Sequence, residues 1–584
     1  ALALALAHGG KRVLLIEVEG RQGIAQLFDT APLPYQERKV AVAPGDPLAD
    51  AYGTDRPVVA SAHHRATAAG ARMIAAGGNA VDAAIAASAA LAVVEPTGSG
   101  LGGGGFWLVH RVEDGHSVFV DGRETAPLAS RPEHYLDADG QPVAERSLTG
   151  ALAAGIPGEP AALVHLAAHY GRLPLARSLA PAARLAASGF FVDAELAEAF
   201  ATHWPRFSDG AKATFAIEGR APRTGEILRQ PDLARLLIAL GVDGRKAFYA
   251  GAYGRKLVDG VRAAGGHWQM ADLRHYQVRE REPLIFNFRD ARVITSPPPS
   301  AGGVALAQIF GQLEALGVSL PLTDQGRHQL VEAMRRAYRD RAAWLGDPDQ
   351  VFVPVRQLTA HATTRRMAES IDPDTATPSA SLPPAVPVPE GEHTTHLSVL
   401  DADGNRVAAT LSINIPFGAA MVVPGTGILL NDELDDFAMS TTASNVYGLI
   451  GSRPNLIAPG KRPLSSMTPT FVESPRGLLI LGTPGGSRII TMVALGMLEW
   501  LGGGDVDAVV AAGRFHHQYL PDVVQVEPQG LSADQQAALQ AKGHAIKDVG
   551  RRYGDMHAVS VDVEGVQAAS DPRGIGVARV LQAD

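Results

Sequence analysis

The chain has 584 residues, more than one ordinary hydrophobic core holds, which predicts about two to four domains or one large layered enzyme. Its 46% apolar and 19% charged residues are typical of a globular protein, and its net charge of −9 argues against a general nucleic-acid-binding protein. The absence of cysteine excludes disulfides, thiol catalysis and zinc–thiolate sites.

The first segment, residues 1–45, differs in pattern from the rest of the chain. Its stretch KRVLLIEVEG predicts a buried strand that follows the end of a helix, and it resembles a fragment of the arsenite-pump and tail-anchor-targeting ATPase family. The phosphate-binding loop G-x-x-x-x-G-K-[ST] does not occur there, so we expect no ATPase activity from it. Residues 44–57 predict a linker, and residues 1–57 are therefore expected to be an inactive N-terminal fragment with its linker.

Regular elements begin at Val58. Helices are predicted over residues 66–76 and Ala80–Val94. The second helix contains the charged Asp82 and is short for a bilayer, so it is expected to be a buried core helix and not a membrane span. The glycine-rich stretch GSGLGGGGFWLVHR follows a helix and precedes a strand, the reverse of a dinucleotide-binding turn. It predicts a backbone that packs closely against another element or the active centre.

The middle of the chain, residues 152–370, predicts mostly helix, with amphipathic stretches over residues 231–240 and 327–344. Strands dominate from Thr394 onward, and the stretch DADGN predicts a hairpin turn between the first two. Helices followed by paired strands favour a layered α/β protein. The later predicted strands cover residues 394–400, 407–413, 470–473, 477–481, 523–526 and 558–563, and the later predicted helices cover residues 487–501 and 506–512.

The change of sequence pattern at Thr394 has two interpretations, an ordinary strand start and a site of chain cleavage. A proline-rich stretch, residues 379–389, gives way there to a strand that begins TTH, and threonine favours strands, so an ordinary strand start fits. A threonine hydroxyl is a weak nucleophile unless a base takes its proton. Chain cleavage before Thr394 would create such a base. The new α-amino group would have a pKa of about 7.7–8.0, so a substantial part of it would be neutral and able to accept a proton near neutral pH.

Ten motifs in order decide between these interpretations. From Val58 to the C-terminus, about nine-tenths of the chain, they resemble the γ-glutamyltransferases (glutathione hydrolases) of the N-terminal-nucleophile hydrolase superfamily. This resemblance implies a layered α/β fold, the four-layer αββα sandwich, and autocatalytic cleavage between His393 and Thr394. The large subunit would then be residues 58–393 and the small, catalytic subunit residues 394–584. The motifs are VASAHHRATAAG, GGNAVDAAIAASAAL, GLGGGGFWL, DGRETAP, TTHLSVLDADGN, LSINIPFG, GILLNDELDDF, NVYGLIG, KRPLSSMTPT and LGTPGGSRII.

The resemblance also implies the catalytic residues. Thr394 would be the nucleophile, and Ser412 stands where the family usually has a threonine that bonds to the amine or hydroxyl of the nucleophile. Gly485 and Gly486 would supply backbone N–H groups to the oxyanion. Tyr447 matches a lid loop that covers the bound glutamyl group in some members.

The substrate-binding residues follow from the same resemblance and fit the chemistry of a γ-glutamyl group, which carries an α-carboxylate and an α-ammonium. Arg123 would pair with the carboxylate through its planar fork. Glu433 and Asp436 lie three residues apart and share a face if that stretch turns helically. The hydroxyl groups expected beside Arg123 are those of Ser465 and Ser466, and the side chains expected to hold the ammonium are Asn414, Glu433 and Asp436.

The implied activity is acyl transfer from glutathione and related γ-glutamyl amides to water, an amino acid or a peptide, without a metal or an organic cofactor and without nucleic acid. The nearest alternative is an amidase or acylase of the same fold that acts on a glutaryl- or oxamate-type group. Glu433 and Asp436 favour an ammonium-bearing acyl group, because two carboxylates would repel a glutaryl terminus. A non-catalytic, uncleaved chain with a nucleotide-binding fusion is the second alternative, and the missing phosphate loop argues against it.

The compartment stays open at this stage. The family is usually exported, which implies an extracytoplasmic or secreted protein. The N-terminus has no basic residue before its apolar run, which is not typical of a secretory signal, and it has no initiator methionine, which suggests a processed chain or a fragment. A cytoplasmic location is therefore also compatible with the sequence.

Overall fold

The computed structural model describes residue 54 and residues 56–385, 393–440 and 453–582. The ATPase-like fragment of residues 1–45 and the lid residue Tyr447 lie outside these ranges. The strands are β1 Val58–Ser61, β2 Gly104–Arg111, β3 His116–Gly122, β4 Phe190–Phe191, β5 Ile227–Leu228, β6 Arg279–Arg281, β7 Leu284–Phe288, β8 Ala291–Thr295, β9 His393–Leu400, β10 Arg406–Asn414, β11 Thr470–Ser474, β12 Gly477–Gly482, β13 Phe515–His516, β14 Val524–Val526, β15 Ile546–Asp548, β16 His557–Asp562, β17 Gly565–Ser570 and β18 Val577–Val580. The α-helices are α1 His64–Ala75, α2 Ala80–Val94, α3 Ala144–Leu148, α4 Glu159–His169, α5 Leu175–Ser188, α6 Ala194–His203, α7 Asp209–Phe215, α8 Pro231–Asp243, α9 Arg245–Tyr249, α10 Ala252–Ala263, α11 Met270–His275, α12 Gly302–Ala315, α13 Asp324–Trp344, α14 Val355–Leu358, α15 His361–Glu369, α16 Ile489–Leu501, α17 Val506–Ala511 and α18 Ala533–Ala541.

Two antiparallel sheets form the centre of the fold. The first has the strand order β18-β1-β9-β10-β2-β3-β6, and the second has the order β17-β16-β12-β11-β8-β7. Strands from before and after Thr394 are thus interleaved in the first sheet. The predicted turn between β9 and β10 is confirmed, since Asp401 Oδ1 accepts the N–H groups of Asp403 at 3.0 Å and Asn405 at 2.9 Å.

Side chains of the first sheet point alternately into two hydrophobic cores. Val59 and Trp107 pack in one core with α1 and α2, whereas Val58 and Phe106 pack in the other with residues of the second sheet. On the second sheet, α12 contacts β7 and α16 contacts β12. The result is the four-layer order of helices, sheet, sheet and helices that the resemblance implied.

Helix α2 is the buried core helix that its sequence predicted. All its residues are buried, and it begins with a capping box in which Asn79 Oδ1 accepts the N–H of Asp82 while Asp82 Oδ2 accepts the N–H of Asn79. The one carboxylate in this apolar helix is therefore part of its cap. Over the described ranges, no helix combines the length and apolar character that crossing a bilayer requires.

The glycine-rich stretch approaches other backbone closely, as predicted. A Cβ atom added to Gly103 would overlap the carbonyl oxygen of Ser412, and one added to Gly102 would overlap that of Leu429. The chain that leads into β2 therefore lies against Ser412 of β10 more closely than a larger residue at position 103 would permit.

The segment predicted to be mostly helical also contains a β-hairpin. β7 and β8 pair with each other, and β8 joins β11, so the hairpin forms one edge of the second sheet. As an edge strand, β7 buries only part of its side chains, and Ile285 is 48% exposed. The alternation of apolar and polar residues in β7 is short and incomplete, which explains why the sequence pattern did not indicate a strand.

Candidate active site

Thr394 is the second residue of β9 and lies opposite Ser412 of β10. β1 pairs with β9 only from Leu397 to Leu400, so the other side of Thr394 faces the loop that follows α2. In that loop, a Cβ atom on Gly98 would lie 3.1 Å from the Thr394 carbonyl oxygen. The threonine is thus held between a strand and a glycine, and it is only 6% exposed.

The Ser412 hydroxyl contacts the peptide bond that is predicted to break. It donates to the carbonyl oxygen of His393 at 3.2 Å and accepts the N–H of Asn414 at 2.8 Å. The strand register shifts between Ser412 and Asn414, where Asn414 has a φ of +80°. The resemblance implied a bond to the amine or hydroxyl of Thr394, but in this uncleaved chain the bond goes to the neighbouring carbonyl.

Gly485 and Gly486 form a tight turn before α16. Their φ values of +136° and +56° are in the left-handed region that glycine adopts readily. Gly485 lines the same cavity as Thr394 and His393, which has a volume of about 490 Å³. Because the first N–H groups of a helix have no partner within it, this turn is suited to stabilising a negative oxygen in that cavity.

The cavity beside Thr394 has charged walls of both signs. Burial raises the pKa of Glu95 to about 8, so this carboxyl group retains its proton at neutral pH. The other charged side chains of the lining are Asp193, Glu195, Glu198, Asp555, Arg488, Arg551, Arg552 and Arg573.

Arg123 lies at the centre of a second, closed cluster. Its Nη1 donates to Glu433 Oε2 at 2.8 Å and its Nη2 to Asp436 Oδ2 at 2.5 Å. The carbonyl groups of Pro463 and Leu464 accept from Nε at 3.3 Å and from Nη2 at 3.1 Å. Residues Glu433–Asp436 form a 3₁₀ turn, which meets the condition under which both carboxylates share a face.

This cluster contains more carboxylates than cations. Burial, and then the charge of Glu433, raise the pKa of Asp436 and of the neighbouring Glu124 well above their ordinary values. Burial lowers the pKa of Arg123, but Glu433 and Asp436 outweigh it, so its pKa lies above its ordinary value. Among the described residues, the buried Glu433 Oε1 and Asp436 Oδ1 have no hydrogen-bond partner. A cation with N–H donors would satisfy both oxygens.

Asn414 connects the two parts of the site. Its Nδ2 donates to the carbonyl oxygen of Asp432 at 3.1 Å, and the N–H of Ile415 donates to Asp432 Oδ1 at 3.2 Å. The strand that carries Ser412 is thereby fixed to the residue before Glu433. The structure brings Thr394, Ser412 and Gly485 together at the cavity. The Arg123 cluster does not line this cavity and is connected to it through Asn414 and Asp432.

Ser465 and Ser466 are buried directly after the carbonyl groups that bind Arg123. The N–H of Met467 donates to Ser465 Oγ at 3.1 Å, and Arg341 Nη2 donates to Ser466 Oγ at 3.2 Å. Sequence reasoning missed Arg341, because no recognised motif contains it. The available signal was a charged residue on the buried face of the amphipathic helix α13.

The comparisons with known proteins agree with this geometry. The model of the gamma-glutamyltranspeptidase family matches residues 66–581. A glutathione hydrolase proenzyme of Pseudomonas sp. (strain A14) is 39% identical over 502 residues, which are 84% of this chain and 86% of that protein. The structure of cephalosporin acylase from Bacillus halodurans is similar with a TM-score of 0.80 at 28% identity, covering 97% of this chain and 99% of that one. Helicobacter pylori gamma-glutamyltranspeptidase is similar with a TM-score of 0.53 at 33% identity, covering 60% of this chain and 97% of that one. The chain therefore belongs to the gamma-glutamyltranspeptidase family and has the N-terminal-nucleophile hydrolase fold.

Proposed function

We propose that the protein is a self-processing γ-glutamyltransferase or glutathione hydrolase, which transfers or hydrolyses the γ-glutamyl group of glutathione and related amides. The Arg123 cluster is the observation that carries this proposal. It places the guanidinium of Arg123 beside two buried carboxylates, Glu433 and Asp436, whose outer oxygens have no partner among the described residues. Those oxygens are complementary to the α-ammonium of a γ-glutamyl group.

Processing begins at the bond between His393 and Thr394. Thr394 Oγ attacks the His393 carbonyl carbon, the C–N bond breaks, and the departing nitrogen takes the Oγ proton to become the new α-amine while an ester forms at Oγ. Ser412 stabilises the negative oxygen of this step, because its hydroxyl already donates to that carbonyl. Water then hydrolyses the ester and leaves a carboxylate on His393.

Turnover uses the same hydroxyl. The α-amine of Thr394 takes the Oγ proton as Oγ attacks the γ-carbonyl carbon of the donor, and Gly485 and Gly486 stabilise the oxyanion with their N–H groups. The C–N bond breaks, the leaving amine takes the proton, and a γ-glutamyl ester remains on Thr394. Water, or the amine of an amino acid or peptide, then releases the γ-glutamyl group.

The mature protein would consist of two tightly joined subunits, residues 58–393 and 394–584. The proenzyme names of the relatives support processing of the chain into subunits. Substrates are small molecules in this scheme.

The charge of the site favours this activity over the acylase alternative. A glutaryl group carries the same carboxylate as a γ-glutamyl group but has no ammonium, so it would leave Glu433 Oε1 and Asp436 Oδ1 without a donor and its own negative charge without an offsetting cation. We therefore expect purified protein to release p-nitroaniline from γ-glutamyl-p-nitroanilide and not from glutaryl-p-nitroanilide. Release from the glutaryl compound alone would overturn the proposed substrate class.

Thr394→Ala tests the nucleophile. Without the hydroxyl neither the cleavage nor the acyl transfer has an attacking atom, so we expect one unbroken polypeptide on a denaturing gel and no p-nitroaniline release. Wild-type protein prepared in parallel should give two bands. An unbroken Thr394→Ala chain with wild-type activity would refute the mechanism.

A further inference from the structure

A buried histidine contacts one carboxylate in the wall of the cavity beside Thr394. His557 is fully buried, neither of its ring nitrogens has a hydrogen-bond partner among the described residues, and its Nε2 lies 3.2 Å from Asp555 Oδ2. The side chain of Asp555 is 19% exposed and lines the cavity. A Cβ atom on Gly574 would overlap this carboxylate, so the loop between β17 and β18 packs directly against it and keeps it in place.

The second sheet fixes Asp555 next to the proposed oxyanion donors. His557 of β16 pairs with Gly482 at the end of β12, three residues before Gly485. The N–H of Asp555 donates to Thr483 Oγ1 at 3.2 Å, in the segment that joins this strand to the Gly485 turn. The carboxylate therefore belongs to the same wall as that turn.

Helix α6 contributes further carboxylates to the same cavity. Asp193 is the N-cap of the helix, and Glu195 lies in its first turn. Burial, and then the charges of Asp555 and Asp193, raise the pKa of Glu195, so carboxylates from the two walls repel one another. A cation between them would relieve that repulsion.

The negative charge extends to the immediate surroundings of Thr394. A Cβ atom on Gly98 would lie 3.1 Å from Glu95 Oε1 and 3.1 Å from the Thr394 carbonyl oxygen, so both groups lie against the same glycine. Glu95 Oε2 is buried and has no hydrogen-bond partner among the described residues. Burial raises the pKa of Glu95, and the neighbouring charges that raise it further all belong to carboxylates. These carboxylates are Asp555, Glu195 and Asp193.

The arginines of the lining are less well placed to oppose this charge. Arg573 forms salt bridges with two carboxylates of the protein itself. Arg551 and Arg552 are exposed, where solvent and salt screen their charge. Arg488 donates through Nε at 3.0 Å and through Nη2 at 2.7 Å to Gln525 Oε1, which orients its guanidinium. The charges that act most strongly beside the nucleophile are therefore negative.

We propose that this cavity selects γ-glutamyl donors whose leaving amine carries a second positive charge, such as a peptide with a lysine side chain, and that Asp555 binds this charge. The inference rests on the proposed function, which places the γ-glutamyl group at the Arg123 cluster and its carbonyl carbon at Thr394 Oγ. The leaving group then occupies the cavity on the other side of the scissile bond. An ammonium group there meets Asp555, Asp193 and Glu195, whereas a carboxylate is repelled.

A second histidine–aspartate pair offers a matched control. His517 is also fully buried, and its Nε2 lies 3.1 Å from Asp522 Oδ1. This pair lines a separate cavity, to which Thr394 does not contribute. H517Q therefore removes a buried imidazole that faces a carboxylate without changing the cavity beside Thr394.

The experiment uses three donors that differ only in the charge of one side chain, namely γ-glutamyl-glycyl-lysine amide, γ-glutamyl-glycyl-norleucine amide and γ-glutamyl-glycyl-glutamate amide. Their scissile bond and their amidated end are identical, so the charge of the leaving group is the variable. The proteins are the wild type, D555N, H557Q, E195Q and H517Q, each first checked for cleavage on a denaturing gel and for its thermal unfolding temperature. The measured quantity is kcat/KM for release of the peptide, which hydrolysis and transfer both produce.

We expect the wild-type kcat/KM for the lysine donor to exceed that for the glutamate donor by about fivefold or more, with the norleucine donor between them. D555N should lower this lysine-to-glutamate ratio by about threefold or more, and E195Q by about twofold or more, because each removes one attractive charge. H557Q should also lower the ratio, since Asp555 loses the imidazole that faces it. H517Q should leave the ratio within about 1.5-fold of the wild type, because well-separated sites act independently.

A smaller wild-type ratio, an unchanged ratio in D555N, or equal changes in H557Q and H517Q would overturn the inference. If D555N does not mature, E195Q decides, because Glu195 is an exposed residue whose substitution the fold tolerates. An unchanged ratio in E195Q would then overturn the inference. A wild-type protein that releases no p-nitroaniline from γ-glutamyl-p-nitroanilide would instead refute the proposed function.

Discussion

At the scale of single residues, the Ser412 hydroxyl makes two hydrogen bonds that the sequence did not indicate. Its hydroxyl donates to the carbonyl that precedes Thr394 and accepts from the backbone of the bulge at Asn414. In the proposed mechanism the first bond serves the cleavage step, and the second holds the oxygen in place for it. That mechanism requires Ser412 to act before the mature enzyme has formed.

Ser412→Ala should slow the cleavage between His393 and Thr394 markedly and change the stability of the fold little. An oxyanion donor is worth about 2.7–4 kcal/mol, so we expect cleavage to be about 100-fold slower or more, measured by the appearance of two bands over time. Ser412→Thr keeps the hydroxyl and should mature at a rate close to that of the wild type. Equal maturation rates for the alanine and wild-type proteins would contradict the role of this hydroxyl.

Asp436→Asn should weaken donor binding. The change removes one of the two carboxylates that would hold the α-ammonium, and the loss of a buried charged hydrogen bond costs about 1.5–3 kcal/mol, so the KM for γ-glutamyl-p-nitroanilide should rise at least tenfold. Asp435→Asn is the control, because Asp435 Oδ1 accepts from Ser147 and the residue belongs to the same short turn. A KM that rises equally in both variants would show that the turn, and not the Asp436 charge, matters.

At the scale of elements, the glycine-rich start of β2 fixes the position of β10. Gly103→Ala would place a methyl group on the Ser412 carbonyl, and overpacking of this kind costs about 1–3 kcal/mol, so the unfolding temperature should fall and cleavage should slow. Gly100→Ala is the matched change, because its Cβ would have Ile413 as its nearest neighbour, at 3.9 Å. Calorimetry and a time course of cleavage test both variants. Equal stability and equal cleavage in the two would contradict this account.

The elements that follow Thr394 were largely predictable because they are buried and regular. β9, β10, β11, β12 and α16 match their predicted ranges to within two residues at each end, since alternating or continuous apolar stretches bounded by turn residues mark them clearly. The hairpin of β7 and β8 was not predictable in the same way, because an edge strand exposes part of its side chains. The spacing of Glu433 and Asp436 allowed a shared face only if that stretch turned helically. The direct pairing of both residues with Arg123, about 310 positions away, was not predicted, because the resemblance assigned all three to the substrate. The bond between Arg341 and Ser466 had no sequence signal beyond a charge on a buried helix face.

At the scale of the whole molecule, the first sheet interleaves strands from the two proposed subunits. β9, β10 and β18 follow the cleavage site, whereas β1, β2, β3 and β6 precede it, and β1 lies between β18 and β9. We expect the two fragments to elute together in size-exclusion chromatography and to separate only in denaturant. Fragments that separate without denaturant would contradict the interleaved sheet.

The setting of Thr394 between Ser412 and Gly98 has a consequence for the mature enzyme. A newly made polypeptide end ordinarily frays, and restricting a loose residue costs about 1–2 kcal/mol of backbone entropy. In the proposed mature protein the rest of β9 would stay hydrogen-bonded to β10, so the new N-terminus at Thr394 would already be held in place. The α-amine would become available as a base while the Thr394 hydroxyl keeps its position, and each reaction cycle would start from a correctly oriented nucleophile.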